Sequence, residues 1–117
     1  MKIKVGEYIR TKTGYIDKIK RIVKVFDNTK YYILDNHDIV FKERIAKYSK
    51  NIIDLIEVGD YVNGHRVIEI DNKDKNIFNK YLVVEETDYD NYNISYSNND
   101  IKSIVTREMF ESIKYEV

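Results

Sequence analysis

The side chains best suited to acid, base or metal chemistry fall in a few short clusters. Asp35-Asn36-His37-Asp38 places one histidine among two carboxylates, a mixture found around zinc or calcium. It lacks the i, i+4 pair of a helical zinc site and falls between two strand-like runs, so it predicts a turn. His65, the other histidine, follows Asn63-Gly64 and predicts a partly exposed hairpin position. Asp71-Asn72-Lys73-Asp74-Lys75-Asn76 has the polar density of a calcium loop. Lysines stand at its third and fifth positions, however, and it has neither the central glycine nor the closing glutamate, so it predicts a hairpin loop.

Covalent and phosphate chemistry find no better support. Gly6, Gly14, Gly59 and Gly64 are the only glycines, and each fits a turn rather than a phosphate-cradling loop. The serines lack a Gly-x-Ser-x-Gly elbow. Glu85-Glu86-Thr87-Asp88-Tyr89-Asp90 offers paired acids for proton transfer, but within a polar loop they predict solvated side chains. The expectation is a protein that is not an enzyme and carries no cofactor and no metal.

Two binding surfaces remain. Lys18, Lys20, Arg21 and Lys24 crowd one strand-like run, with Lys12 in the adjoining loop, and a strand presents alternate side chains to phosphates. Tyr15, Tyr31 and Tyr32 supply rings beside them, the combination that small barrels use on single-stranded nucleic acid. The same residues also fit a solvated barrel face with its tyrosines turned inward. The opposite surface is acidic: Glu85, Glu86, Asp88, Asp90 and Asp100, with Tyr89, Tyr92 and Tyr96 interleaved. Acid mixed with tyrosine suits a basic protein surface, since tyrosine gives contact area at low rotamer cost, and it equally fits a disordered acidic loop.

The elements that must carry these residues are short. Runs rich in β-branched residues and tyrosine cover 5–10, 15–25, 30–34, 39–46, 58–62, 66–70, 81–84, 94–96 and 101–105, separated by Asp-Asn and Asn-Asn turn signals. Ser49 and Thr106 each precede a segment that fits a capped turn of 3-10 or α-helix. The fold class is therefore mainly β.

The chain also repeats itself. Val5-Gly6-Glu7-Tyr8-Ile9 returns as Val58-Gly59-Asp60-Tyr61-Val62, an offset of 53 (58 − 5). Gly14 matches Gly64, and Lys30–Leu34 matches Lys80–Val84, at an offset of 50 (64 − 14); Ser49–Ile56 matches Thr106–Ile113 at 57 (106 − 49). The shifts predict a hairpin shortened by three residues at Asn63-Gly64 and an insertion of seven between Val84 and Thr106, within a polar stretch over 85–99. Two domains follow, 1–57 and 58–117, and both are close to the lower size for independent folding. With no cysteine among the 117 residues, packing alone must hold them.

Lys plus Arg and Asp plus Glu are equal at 20 each, which argues against a uniformly basic nucleic-acid binder. The halves differ in sign: residues 1–57 carry 13 bases and 8 acids, net +5, and residues 58–117 carry 7 and 12, net −5. The N-terminus has no apolar signal segment and no run approaches the ~20 residues of a membrane span, so a soluble, cytoplasmic protein without membrane association is expected.

Five short strands with a 3-10 turn before the last resemble an SH3-like barrel, and a Val-Gly-Asp-Tyr-Val opening is common at the first strand of such barrels. The resemblance implies two tandem small SH3-like antiparallel barrels with short 3-10 or helical turns. Residues 49–64, SKNIIDLIEVGDYVNG, with Val5–Thr11 upstream, also resemble a group of small uncharacterised proteins encoded by phages and prophages of low-GC Gram-positive bacteria. That resemblance implies an accessory protein that binds host machinery, CRISPR nucleases and other defence systems included. The leading expectation is a non-enzymatic, anti-CRISPR-like inhibitor that binds a host protein through Glu85, Glu86, Asp88, Tyr89, Asp90, Tyr92 and Tyr96. The alternative is a small nucleic-acid-binding regulator that uses Lys12, Lys18, Lys20, Arg21 and Lys24. Oligomeric state is not legible.

Overall fold

The structure, a computed structural model, describes residues 2–72, 80–85 and 94–114. The chain divides into two compact units, Met1–Leu55 and Ile56–Val117. In the first, β1 (Tyr8–Thr11), β2 (Ile16–Lys24), β3 (Lys30–Leu34), β4 (Ile39–Phe41) and β5 (Ile45–Ser49) form an antiparallel sheet in the order β4-β3-β2-β1-β5. In the second, β6 (Tyr61–Val62), β7 (His65–Asp71), β8 (Tyr81–Val84), β9 (Ile94–Tyr96) and β10 (Ile104–Val105) take the order β10-β6-β7-β8-β9. Matching β1 to β6 and onward, the two orders are the same. No described helix is long and apolar enough to cross a membrane.

The expected closed barrels are open five-stranded sheets. Residues 39–46 read as one strand from the sequence. A 3-10 turn at Lys42–Arg44 splits them, and the Ile45 amide donates to the Lys42 carbonyl where β5 begins, opposite Thr11 of β1. β4 is left as a three-residue edge.

The repeated pentapeptides owe their likeness to one turn. In the first unit the Glu7 amide donates to the Lys4 carbonyl at 3.1 Å, and the Lys4 amide donates to Glu7 Oε1 at 2.7 Å. In the second the Asp60 amide donates to the Glu57 carbonyl at 3.0 Å, and the Glu57 amide donates to Asp60 Oδ2 at 2.7 Å. The third turn position needs positive φ, and Gly6 and Gly59 supply it at 91° and 99°. Gly, then acid, is thus a self-locking turn that delivers the chain into β1 or β6.

Sheet register corrects the sequence offsets. Ile9 pairs with Asp17 and Val62 with His65, so His65 stands where Asp17 does, not where Tyr15 does. From Ile19 to Val67 the offset is 48 (67 − 19), and the second unit's first hairpin is shorter by five (53 − 48). Asn63 and Gly64 do form its two-residue turn, with φ of 52° and 84°. The insertion after Val84 is six residues, since Ile39 and Ser95 occupy the same position at an offset of 56 (95 − 39) against 50 for the preceding strand. Ser49 opposes Tyr8 while Val105 opposes Tyr61, so the match of Ser49 to Thr106 is out by one. Thr106 instead precedes α1 (Arg107–Lys114), its Oγ1 accepting the Met109 amide.

Ile3, Ile9, Ile19, Tyr32, Leu34, Val40 and Ile45 form the first core. Burying an aliphatic side chain of this size stabilises by roughly 1.5–3 kcal/mol. β1 is covered on its other face too: Arg10 is 1% exposed beneath the 3-10 turn Ile52–Leu55, and its Nη1 donates to the Leu55 carbonyl at 2.9 Å. Val62, Val67, Leu82 and Val84 are the corresponding buried residues of the second sheet.

Candidate nucleic-acid interface

β2 and β7 each carry a bulge, between Ile19 and Arg21 and between Val67 and Glu69. A bulge sets two residues against one and shifts the alternation of side chains. Strict alternation along β2 would align Lys18, Lys20 and Lys24. Instead Lys20 and Arg21 line one depression together with Ile33, His37 and Ile39. Lys18 is set apart, with Nζ 5.8 Å from the centroid of the Tyr8 ring. Lys24 sits directly opposite Lys30 at the far end of the β2/β3 ladder. Lys12 borders another depression, with Tyr15 and Arg44. The five bases named from sequence are therefore divided among four places.

What joins three of those places is β4. Val40 faces the core, so its neighbours Ile39 and Phe41 face outward and are 56% and 49% exposed. Ile39 borders the depression of Lys20 and Arg21 and also that of Lys12 and Arg44. Phe41 borders the latter and a third depression, lined by Lys24, Lys30 and Lys42. Tyr31 leans on Phe41 with ring centroids 6.1 Å apart and planes inclined by 59°. Phe26, at the tip of the β2–β3 connection, is 92% exposed.

Lys12, Lys20, Arg21 and Lys24, then Lys30, Lys42 and Arg44, line these three depressions. None of the seven makes a side-chain ion pair among the described residues. Only Glu43 and Asp38 bring acid to the same depressions. Tyr32 is 4% exposed and belongs to the core, so it is no stacking platform. Tyr15 is half-buried; burial first, then the nearby charges of Asp17 and Asp38, raise the pKa of its phenol.

The second unit does not repeat this surface. Ile68 and Glu69 stand at the bulge in place of Lys20 and Arg21, and Ser95 in place of Ile39. Phe41 and Ser97 both precede the 3-10 turn that follows the edge strand, so Ser97 takes the place of Phe41.

Of the acidic set, Glu85, Tyr96 and Asp100 are described. Glu85 Oε2 accepts from Arg66 Nε at 2.9 Å, and the Tyr96 hydroxyl meets His65 Nδ1 at 3.0 Å. Glu86, Asp88, Tyr89, Asp90 and Tyr92 lie outside the described residues. Asp35–Asp38 is the turn between β3 and β4, and no cluster of three or more His, Cys, Asp or Glu suited to a metal occurs among the described residues.

Sequence reasoning named the bases of β2 but missed Lys30, Lys42, Arg44, Ile39 and Phe41. Ile39-Val40-Phe41 held the signal: an apolar run on an edge strand buries alternate residues only, so its flanks must face outward. No protein-family model, no curated protein and no solved structure matches the chain.

Proposed function

We propose that the chain is a non-enzymatic nucleic-acid-binding protein, built as two SH3-like units, whose first unit takes single-stranded DNA or RNA across the outer edge of its sheet. The observation that carries this reading is the meeting of three depressions at Ile39 and Phe41, with seven cations that make no side-chain ion pair among the described residues. A single strand supplies what the surface lacks: phosphates for the cations and unpaired bases for the Phe41, Tyr31 and Phe26 rings. A duplex offers phosphates alone, because its bases are already stacked. The resemblance to phage-encoded proteins implies an accessory protein that binds host machinery, and the nucleic-acid reading rests on this surface and not on that resemblance.

The test is fluorescence anisotropy of a labelled single-stranded oligomer with the whole chain, across a salt series. Affinity falls steeply with salt, and Phe41→Ala weakens binding by the worth of one stacked base, about 1–3 kcal/mol. Absence of binding at low salt, or equal affinity for duplex and single strand with no effect of Phe41→Ala, defeats the proposal. The rival reading, a host protein held by the acidic stretch over 85–99, predicts partner capture that survives neutralisation of Lys24, Lys30 and Lys42.

A further inference from the structure

One of the three depressions has the parts of a base pocket. Its apolar side is Ile39, Val40 and Phe41, and its cations are Lys12 and Arg44. Its volume is about 480 Å³, within the range of small-ligand clefts. What separates it from the other two is its polar wall, made by Tyr15 and Asp38.

That wall is held from behind. Asn36 donates from Nδ2 to the Tyr15 hydroxyl and, at 2.8 Å, to Asp38 Oδ2; its Oδ1 accepts the Asp38 amide at 2.9 Å. The Asn36 amide in turn donates to Asp17 Oδ2 at 3.2 Å, and the Leu34 amide donates to the Asp38 carbonyl at 2.9 Å. Asn36 therefore fixes one carboxylate oxygen and the phenol together. Asp38 Oδ1 has no partner among the described residues, and the phenol, which accepts from Asn36, retains its own proton to donate. The wall thus offers one anionic acceptor beside one neutral donor, in a depression that Phe41 and two cations also line.

Resting on the reading of this face as a nucleic-acid interface, we propose that the depression walled by Tyr15 and Asp38 seats one base of the strand and selects bases that carry an exocyclic amine. The amine donates to Asp38 Oδ1, the neighbouring ring nitrogen of adenine or cytosine accepts from the Tyr15 hydroxyl, and the adjoining phosphate meets Lys12 or Arg44. Carboxylate side chains read the cytosine amine in this way, and unstacked bases expose that edge to side chains. Thymine and uracil fit poorly. Their only ring donor lies between two carbonyl oxygens, both of which a carboxylate repels.

The experiment compares short homopolymers of deoxyadenylate, deoxycytidylate and thymidylate on the wild-type chain, on Asp38→Asn and on Tyr15→Phe, with melting curves for each variant. The wild type prefers the adenine and cytosine strands over thymine by about tenfold, the worth of one good polar contact to a base edge. Asp38→Asn erases that preference while binding of the thymine strand persists, and Tyr15→Phe reduces it. Equal wild-type affinity for the three strands, or a preference that survives Asp38→Asn, overturns the base pocket and leaves the interface standing. Failure of all three strands to bind at low salt overturns the interface itself. Free AMP and CMP separate a lone nucleotide from a strand: they displace the labelled strand only at far higher concentration than unlabelled strand does. Displacement at matching concentrations overturns the continuous path across Ile39 and Phe41.

Discussion

Lys24 and Lys30 are directly opposed across β2 and β3, both exposed, so the fold carries a like-charge pair at the place where one cation depression opens. Directly opposed charges change sheet stability by roughly 0.2–1 kcal/mol, unfavourably when alike and favourably when opposite. Lys30→Glu turns repulsion into attraction, so the unbound protein gains about 1 kcal/mol at low salt, and less at physiological ionic strength where exposed pairs are screened. For a unit of this size a gain of 1 kcal/mol raises the melting temperature by about 4–8 °C. Binding moves the other way. One phosphate partner is lost and an anion stands in its place, and the slope of log affinity against log salt becomes shallower by about 0.7 for the lost contact on a single strand. Differential scanning calorimetry reads the first effect and anisotropy across a salt series the second. Adding Lys24→Glu restores a like-charge pair, returning stability toward the wild type while weakening binding further. A Lys30→Glu protein that is no more stable than wild type, or that binds with unchanged affinity and slope, refutes the reasoning.

Further outcomes follow from the turns of both units. Asp60 is fully buried and accepts the Glu57 amide at 2.7 Å and the Arg107 amide at 2.9 Å, so Asp60→Ala strands two donors and costs about 2–5 kcal/mol. Glu7→Ala, which loses the matching but exposed bond to the Lys4 amide, costs about 1 kcal/mol, and urea midpoints of the two variants rank them. Asp100 Oδ2 accepts both the amide and the hydroxyl of Ser97 at 2.9 Å, and these bonds hold its carboxyl below the ordinary range. Its folded pKa being depressed, its contribution is complete above the unfolded value and is lost as pH falls through the folded one. NMR titration should find Asp100 protonating below its exposed counterparts, and Ser97→Ala should move it back toward them.

The parts of the fold that were legible in the sequence are those fixed by local chemistry. Lys30–Leu34, Tyr81–Val84 and Ile94–Tyr96 are strands with the expected bounds, and Asn63-Gly64 is the expected turn, because residue type alone sets those conformations. Register was not legible. Gly14 and Gly64 align by identity, yet they close hairpins of different length, and only the pairing of Ile9 with Asp17 and Val62 with His65 shows which positions correspond. The site failed to emerge for a similar reason. A bulge is invisible in a run such as Lys18-Ile19-Lys20-Arg21, where alternation reads as unbroken, and it is the bulge that turns Lys20 and Arg21 together. Lys12 and the bases of β2 were readable; Lys30, Lys42 and Arg44, and the grouping of all of them, needed the sheet.

Comparison of corresponding positions separates what folding requires from what it does not. The two units share the glycine-and-acid turn, the bulge in the second strand, and buried aliphatic residues at Ile9 and Val62, Ile19 and Val67, and Leu34 and Val84. Where the outer faces differ, the first unit holds the choices that fold and solubility disfavour: Ile39 and Phe41 exposed on an edge strand, Phe26 bare at a turn, Lys24 against Lys30. The second unit, on the same scaffold, has Ser95 and Ser97 where the first has Ile39 and Phe41. The scaffold therefore does not impose the exposed Ile39 and Phe41 of the first unit, although Tyr81 and Phe110 are exposed in the second. On the proposed reading, these side chains and the cations beside them serve an occupant that is both anionic and aromatic, and a single strand of nucleic acid brings the two together at every residue along its length.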